Sequence, residues 1–271
     1  MSEVQYRAGE GILLFMIHGQ GIDHRLLLAL EPALEQCGIF ERIYIDLPGM
    51  GGSPALDGEG SLQEYAQWLE ARIAGIAAGR KFALLGNSMG GLLAQHVADR
   101  FPGRILGLAL LASVVYPQQA QRTLPARQIA HTDEHLFSRL DAQDAIAYKE
   151  MSVVQTEENW LAFQRFALPG IRSANLRALA RLGKRYVLEP LPVHGTQVED
   201  FPTLILCGTL DHICGFDDQL ALLRRYQQAD YQVIERAGHN LHLDAPQQVH
   251  QALLDWAPKV AGYAGQRHQG Q

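Results

Sequence analysis

Cysteine is scarce: 271 residues contain three, Cys37, Cys207 and Cys214, and no two of them form a C-x-x-C pair. Neither a disulfide framework nor a dithiol or zinc motif is expected. Long apolar runs are also lacking. Ile12 to Ile17 and Leu108 to Leu111 fall far below the roughly 18 residues that a membrane span requires. Met1 to Glu10 is polar and acidic with no apolar h-region, so a chain without a secretory signal, and hence a cytoplasmic one, is expected. Positive charge is in deficit, with 23 Lys plus Arg against 29 Asp plus Glu for a formal charge of −6. A nucleic-acid partner is therefore not expected, because neutralising phosphates takes clustered cations. No internal repeat or low-complexity linker interrupts the chain, and a 47% hydrophobic content is enough to build a sizeable core.

What is present is a rhythm of short apolar runs bounded by turn residues: Ile12 to Ile17, Arg42 to Asp46, Lys81 to Gly86, Leu106 to Ala112, Pro202 to Gly208 and Tyr231 to Glu235. These are continuous rather than alternating, as parallel strands covered on both faces must be. Helical patterns over Leu26 to Gln36, Ser61 to Ala78, Met89 to Phe101, Asp217 to Gln228 and Pro246 to Ala257 separate them. The spacing predicts an α/β fold, a doubly wound, mostly parallel sheet. Ser61 with Glu64 reads as a capping box, and Phe101-Pro102-Gly103 as a helix stop.

The rhythm breaks between Ala112 and Pro202. Residues 1–115 and 200–263 are read as the core, 116–199 as an inserted helical cap, and the Gly- and Gln-rich 264–271 as a disordered tail. Within the cap, Thr156 precedes a helix bearing Trp160, Phe163 and Ala167 and stopped by Pro169-Gly170. Ser173 starts another through Leu176, Leu179 and Leu182.

Gly86-Asn87-Ser88-Met89-Gly90 fits G-x-S-x-G between an apolar strand and a helix, the setting of a nucleophile elbow. A serine hydroxyl needs a base in reach and a third group to orient that base. Asp211, just beyond a strand end, is the candidate acid, and His239, in the loop after the next strand, is the candidate base. The order Ser, Asp, His is the one this kind of sheet uses.

Together with His18-Gly19-Gln20-Gly21 after the first apolar strand, Asp46-Leu47-Pro48-Gly49-Met50-Gly51-Gly52-Ser53 after the next, and Gly238-His239 through Asp244-x-Pro246, this pattern resembles the α/β-hydrolase superfamily over nearly the whole chain outside the cap. The resemblance implies an oxyanion hole made by the backbone N–H groups of Gln20 and Met89. It implies a cofactor-independent, carboxylesterase-like serine hydrolase that cleaves an ester, thioester or related carbonyl of a small-molecule acyl substrate through an acyl-enzyme at Ser88, with no metal. The Gly-Asn-Ser-Met-Gly-Gly string also resembles the elbow of carbon-carbon bond hydrolases. Those enzymes usually follow the histidine with tryptophan, where this chain has Asn240, and Gln20-Gly21-Ile22-Asp23 is not their Gly-Pro-rich loop. Carbon-carbon bond hydrolysis or acyl transfer with the same triad, and a non-hydrolytic small-molecule receptor, remain the alternatives.

Other residues carry two readings at this point. Asp217 and Asp218 rival Asp211 but look like a helix start. His18 and His242 have no paired-ligand spacing and read as structural. Arg172, Arg177, Arg181, Lys184 and Arg185 are either an anion-attracting face or a solvated one. Trp160 and Phe163 either line an acyl pocket or pack on the domain beneath. No motif in the sequence sets the oligomeric state.

Overall fold

A computed structural model describes residues 5–269. In chain order the strands are β1 (Tyr6–Ala8), β2 (Ile12–Ile17), β3 (Phe40–Ile45), β4 (Phe82–Asn87), β5 (Ile105–Leu111), β6 (His131–Thr132), β7 (Val154–Gln155), β8 (Thr203–Gly208) and β9 (Ala229–Ile234). The helices are α1 (Glu31–Cys37), α2 (Leu62–Ala77), α3 (Met89–Arg100), α4 (Glu134–Phe137), α5 (Ala142–Met151), α6 (Glu157–Phe166), α7 (Leu168–Ser173), α8 (Leu176–Lys184), α9 (Leu241–Asp244) and α10 (Pro246–Gln269). Seven strands form one sheet in the order β1-β3-β2-β4-β5-β8-β9, while β6 and β7 pair separately. Every neighbour in the large sheet is parallel except β1, which runs antiparallel to β3.

The continuous apolar strands fill two cores, because successive side chains point to opposite faces. Leu13, Phe15 and Ile17 of β2 pack with α2 and α3, through residues such as Leu69, Ile73 and Leu93. Leu14 and Met16, on the other face, pack with α1 and α10 through Leu34, Leu253 and Trp256. The Ser61–Glu64 capping box is complete on α2, and α3 ends at Arg100, before Phe101-Pro102.

The interval between β5 and β8 holds α4 to α8. Trp160 and Phe163 belong to a third buried cluster with Tyr148, Ile22, Leu26 and Leu243. Their rings lie 5.2 and 5.1 Å from that of Tyr148. α8 docks on the turn after β3: the Asn175 N–H donates to Gly49 O at 2.8 Å, and Arg181 donates to the carbonyls of Leu56 and Gly58. Gly49, at φ 74°, makes room for this contact, since a Cβ there would lie 2.7 Å from that of Ala178.

Several local expectations need correction. The segment expected to be helical from Leu26 begins as a 3-10 turn over His24–Leu30, and α1 starts only at Glu31, with Pro32 in its first turn. Pro169-Gly170 does not end helical structure. It sits inside α7, whose first turn tolerates a residue lacking an N–H. Asn175, not Ser173, caps α8. Residues 264–269, expected to be disordered, continue α10, while 270 and 271 lie outside the described residues. Composition misleads there because α10 is already anchored: Ala264 is buried on the core and Arg267 pairs with Asp200. Among the described residues no helix is long and apolar enough to cross a membrane.

Candidate active site

Ser88 occupies the single-residue turn between β4 and α3, at φ 56° and ψ −123°. A β-carbon is rarely tolerated at positive φ, so the surroundings must enforce this conformation. They do so through both backbone groups of Ser88. Its N–H donates to Leu111 O at 3.0 Å, and its carbonyl accepts the N–H groups of Gly91 and Val114, each at 3.0 Å. The flanking glycines are steric necessities. A Cβ on Gly86 would sit 2.4 Å from Gly90 O, and one on Gly90 2.2 Å from Ile17 O. α3 is thereby pressed onto β2, and Ser88 faces the loop that leaves β2. A Cβ on Gly19 would be 2.9 Å from that of Ser88.

Asp211 follows β8 and is itself fully buried. Its Oδ1 accepts the N–H groups of Ile213 and Cys214 at 2.9 and 3.0 Å. His239, in the loop after β9, donates from Nδ1 to Asp211 Oδ2 at 3.1 Å, which leaves Nε2 as the acceptor nitrogen. Gly208 permits this approach of the two loops, because a Cβ there would lie 2.2 Å from Ala237 O. Burial opposes ionisation of Asp211, yet the imidazole and the two amides outweigh it and hold its carboxyl below the ordinary range. Burial likewise opposes the charged form of His239, but Asp211 and Cys214 outweigh it and hold the imidazole well above its usual value.

Ser88, His239 and Gln20 line one cavity of about 670 Å3, with Asp211 behind the imidazole. Among the described residues no hydrogen bond joins Ser88 Oγ to His239, a looseness common where no substrate is bound. The rivals go elsewhere: Asp217 opens a 3-10 turn, Asp217–Arg224, and Asp218 accepts the Thr123 N–H.

Gln20 lies just beyond β2, and Met89 is the first residue of α3, where a helix leaves its N–H groups without internal partners. Neither N–H finds a protein acceptor among the described residues. His18 fixes the loop that carries Gln20. Its Nε2 accepts the Leu47 N–H at 2.9 Å, so Nδ1 carries the proton and donates to Gly19 O at 2.7 Å. Burial pushes this imidazole below its usual value. Asp46 holds the next turn, accepting from His24 and Gly52. His18 and His242 are both buried away from the cavity lining, and burial drives His242 down to about 3. Asp244, pushed by burial up to about 7, accepts the Gly238 N–H and so steadies the residue before His239.

Among the described residues two groups have the donors to hold a metal ion: Asp211, Cys214 and His239, and Asp23, His24 and Asp46. Cys214 is the site neighbour that the sequence reading missed. Its signal lay in the D-x-x-C spacing, since the carboxylate of Asp211 takes up the N–H of residue 214 and draws its thiol alongside.

The sequence matches the profile described as the Alpha/beta hydrolase family over residues 14–252. The chain belongs to the α/β-hydrolase family. Among the curated relatives of this hydrolase, (E)-2-((N-methylformamido)methylene)succinate hydrolase of Acinetobacter baylyi is 27% identical over 253 residues, 93% of this chain and 92% of the relative. Pimeloyl-[acyl-carrier protein] methyl ester esterase of Aeromonas hydrophila is 28% identical over 258 residues, 92% and 96% of the two chains. The solved α/β superfamily hydrolase of Oenococcus oeni superposes with a TM-score of 0.84 at 24% identity, over 93% of this chain and 95% of that one, a likeness of fold.

Proposed function

We propose that this hydrolase is a serine esterase in which Ser88 Oγ attacks the carbonyl of an ester or thioester. His239 Nε2 takes the hydroxyl proton as the bond forms. Asp211 holds the imidazole in the tautomer that presents Nε2 and balances the charge it acquires. The N–H groups of Met89 and Gln20 receive the oxyanion of the tetrahedral intermediate, each contributing roughly 3 kcal/mol to its stability. Collapse breaks the bond to the alcohol or thiol, which departs with the proton from His239, and the acyl group stays bonded to Ser88 Oγ. Water, deprotonated by the same imidazole, then releases the acid.

One observation carries this reading: a serine held at φ 56° on a strand-to-helix turn shares a cavity with an imidazole whose far nitrogen is tied to a buried carboxylate. The esterase activity named for the Aeromonas relative supports the choice of substrate bond. Residues 116–199 act in this account as a cap, with Leu179 of α8 and Met151 of α5 closing the cavity over Ser88. A fluorophosphonate probe should label the folded protein stoichiometrically, and Ser88→Ala should abolish labelling. A folded wild-type protein that resists the probe, or a variant that still labels, would refute the proposal.

A further inference from the structure

The cavity on Ser88 and His239 is cationic, although the chain as a whole carries a charge of −6. Apart from the imidazole, its charged lining residues are Arg122 and Lys184, and no carboxylate lines it.

Arg122 is held rigidly. Its Nε donates to Tyr116 O at 2.8 Å, Nη1 to Ile213 O at 2.9 Å and Nη2 to Pro117 O at 2.8 Å. A guanidinium has five N–H donors, so these bonds leave two free. Neutral carbonyls position the group without cancelling its charge, and the side chain is only partly exposed. Among the described residues neither Arg122 nor Lys184 has a carboxylate partner. Two basic neighbours on the same insertion are neutralised by carboxylates, Arg172 by Asp144 at 2.7 Å and Arg185 by Glu59 at 3.1 Å, while Arg181 donates to the carbonyls of Leu56 and Gly58 and does not line the cavity. A clamp role accounts for the three carbonyl bonds of Arg122. It does not account for an uncompensated, partly buried charge with spare donors in the wall of a cavity, an arrangement whose natural complement is an anion.

We propose that the substrate carries a carboxylate or comparable anion remote from its scissile carbonyl, bound by Arg122 and Lys184. This rests on the serine esterase reading and adds a substrate class to it. Gln118 and Gln119 also line the cavity and carry neutral donors.

The test compares p-nitrophenyl monoesters of succinate, glutarate and adipate with the butyrate, pentanoate and hexanoate esters, using the Ser88→Ala protein to subtract spontaneous hydrolysis. The quantity read is the ratio of kcat/KM for each carboxylated ester to that of its neutral counterpart, taken within each variant so that general losses cancel. The expected wild-type ratio is roughly tenfold or more for at least one pair, falling as salt is raised. Lys184→Glu, on an exposed helix end, should lower that ratio by roughly tenfold, and Arg122→Gln should lower it as well. Arg122→Lys, which keeps the charge and loses the fork, should fall between wild type and Arg122→Gln. A wild-type ratio at or below one for every pair, or a ratio unmoved by both Lys184→Glu and Arg122→Gln, would overturn the inference while leaving the esterase reading intact. Failure to hydrolyse any of the esters, together with no fluorophosphonate labelling, would remove both.

Discussion

At the scale of single residues the account depends on which proton sits where. Asp211 holds His239 above its ordinary imidazole value of 6.5, yet the base must be neutral to accept the serine proton. Activity should therefore rise with pH on an ionisation above that value. The same shift acts on stability with the opposite sign. The charged pair favours the folded state fully below the unfolded histidine value, and that contribution is lost as pH climbs through the folded one. Asp211→Asn removes the carboxylate, so the ascending limb of the pH–rate profile should move to lower pH while kcat falls by about 10^3- to 10^4-fold. A profile of log kcat/KM against pH for the two proteins checks both. The positions of Ser88, Asp211 and His239 were legible in the sequence because each lies within three residues of a glycine where a side chain would clash: Gly86 and Gly90, Gly208, and Gly238. Cys214 was harder to read, since its one signal is the D-x-x-C spacing to Asp211, whose carboxylate folds back on the Cys214 amide.

At the scale of elements, the junction of β4 and α3 is set by contacts with no slack. Gly90→Ala would push a methyl carbon to 2.2 Å from Ile17 O and 2.4 Å from His18 O, both backbone atoms. The expected loss is about 3 kcal/mol, read as a lower urea midpoint, with probe labelling of the surviving folded protein reduced. By comparison, Ser61→Ala removes one complete capping box outside the cavity lining and should lower stability by about 1 kcal/mol without changing labelling. The parallel strands were legible because burial on both faces demands unbroken apolar runs. β1 was not, because Tyr6-Arg7-Ala8 is a short edge strand whose side chains are largely exposed, and its side-chain links to β3, Arg7 to Glu41 and Tyr6 against Tyr44, make no apolar run in the sequence. The helix at 264–269 escaped for a related reason: its stability comes from an anchored helix before it and from Asp200, distant in the chain.

At the scale of the molecule, a sheet packed on both faces fixes the ends of β4, β8 and β9, and the loops beyond those ends bring Ser88, Asp211 and His239 together around one cavity edge. The insertion between β5 and β8 was visible as a gap in the strand rhythm, but its internal organisation was not. Trp160 and Phe163 read equally well as pocket or packing, and only the position of Tyr148 and Leu243 resolves them into a buried cluster away from Ser88. The basic run from Arg172 to Arg185 was similarly ambiguous, because whether a cation is free depends on where distant carboxylates such as Asp144 and Glu59 come to lie.

The most direct test is to quench the enzyme during turnover of a p-nitrophenyl ester and map the acyl group by peptide mass spectrometry. The account predicts a mass increase equal to the acyl group on the peptide bearing Ser88, appearing with the burst of nitrophenol and absent from Ser88→Ala, which should turn over no faster than buffer. An acyl group found reproducibly on another residue, or steady turnover by Ser88→Ala at the wild-type rate, would contradict it.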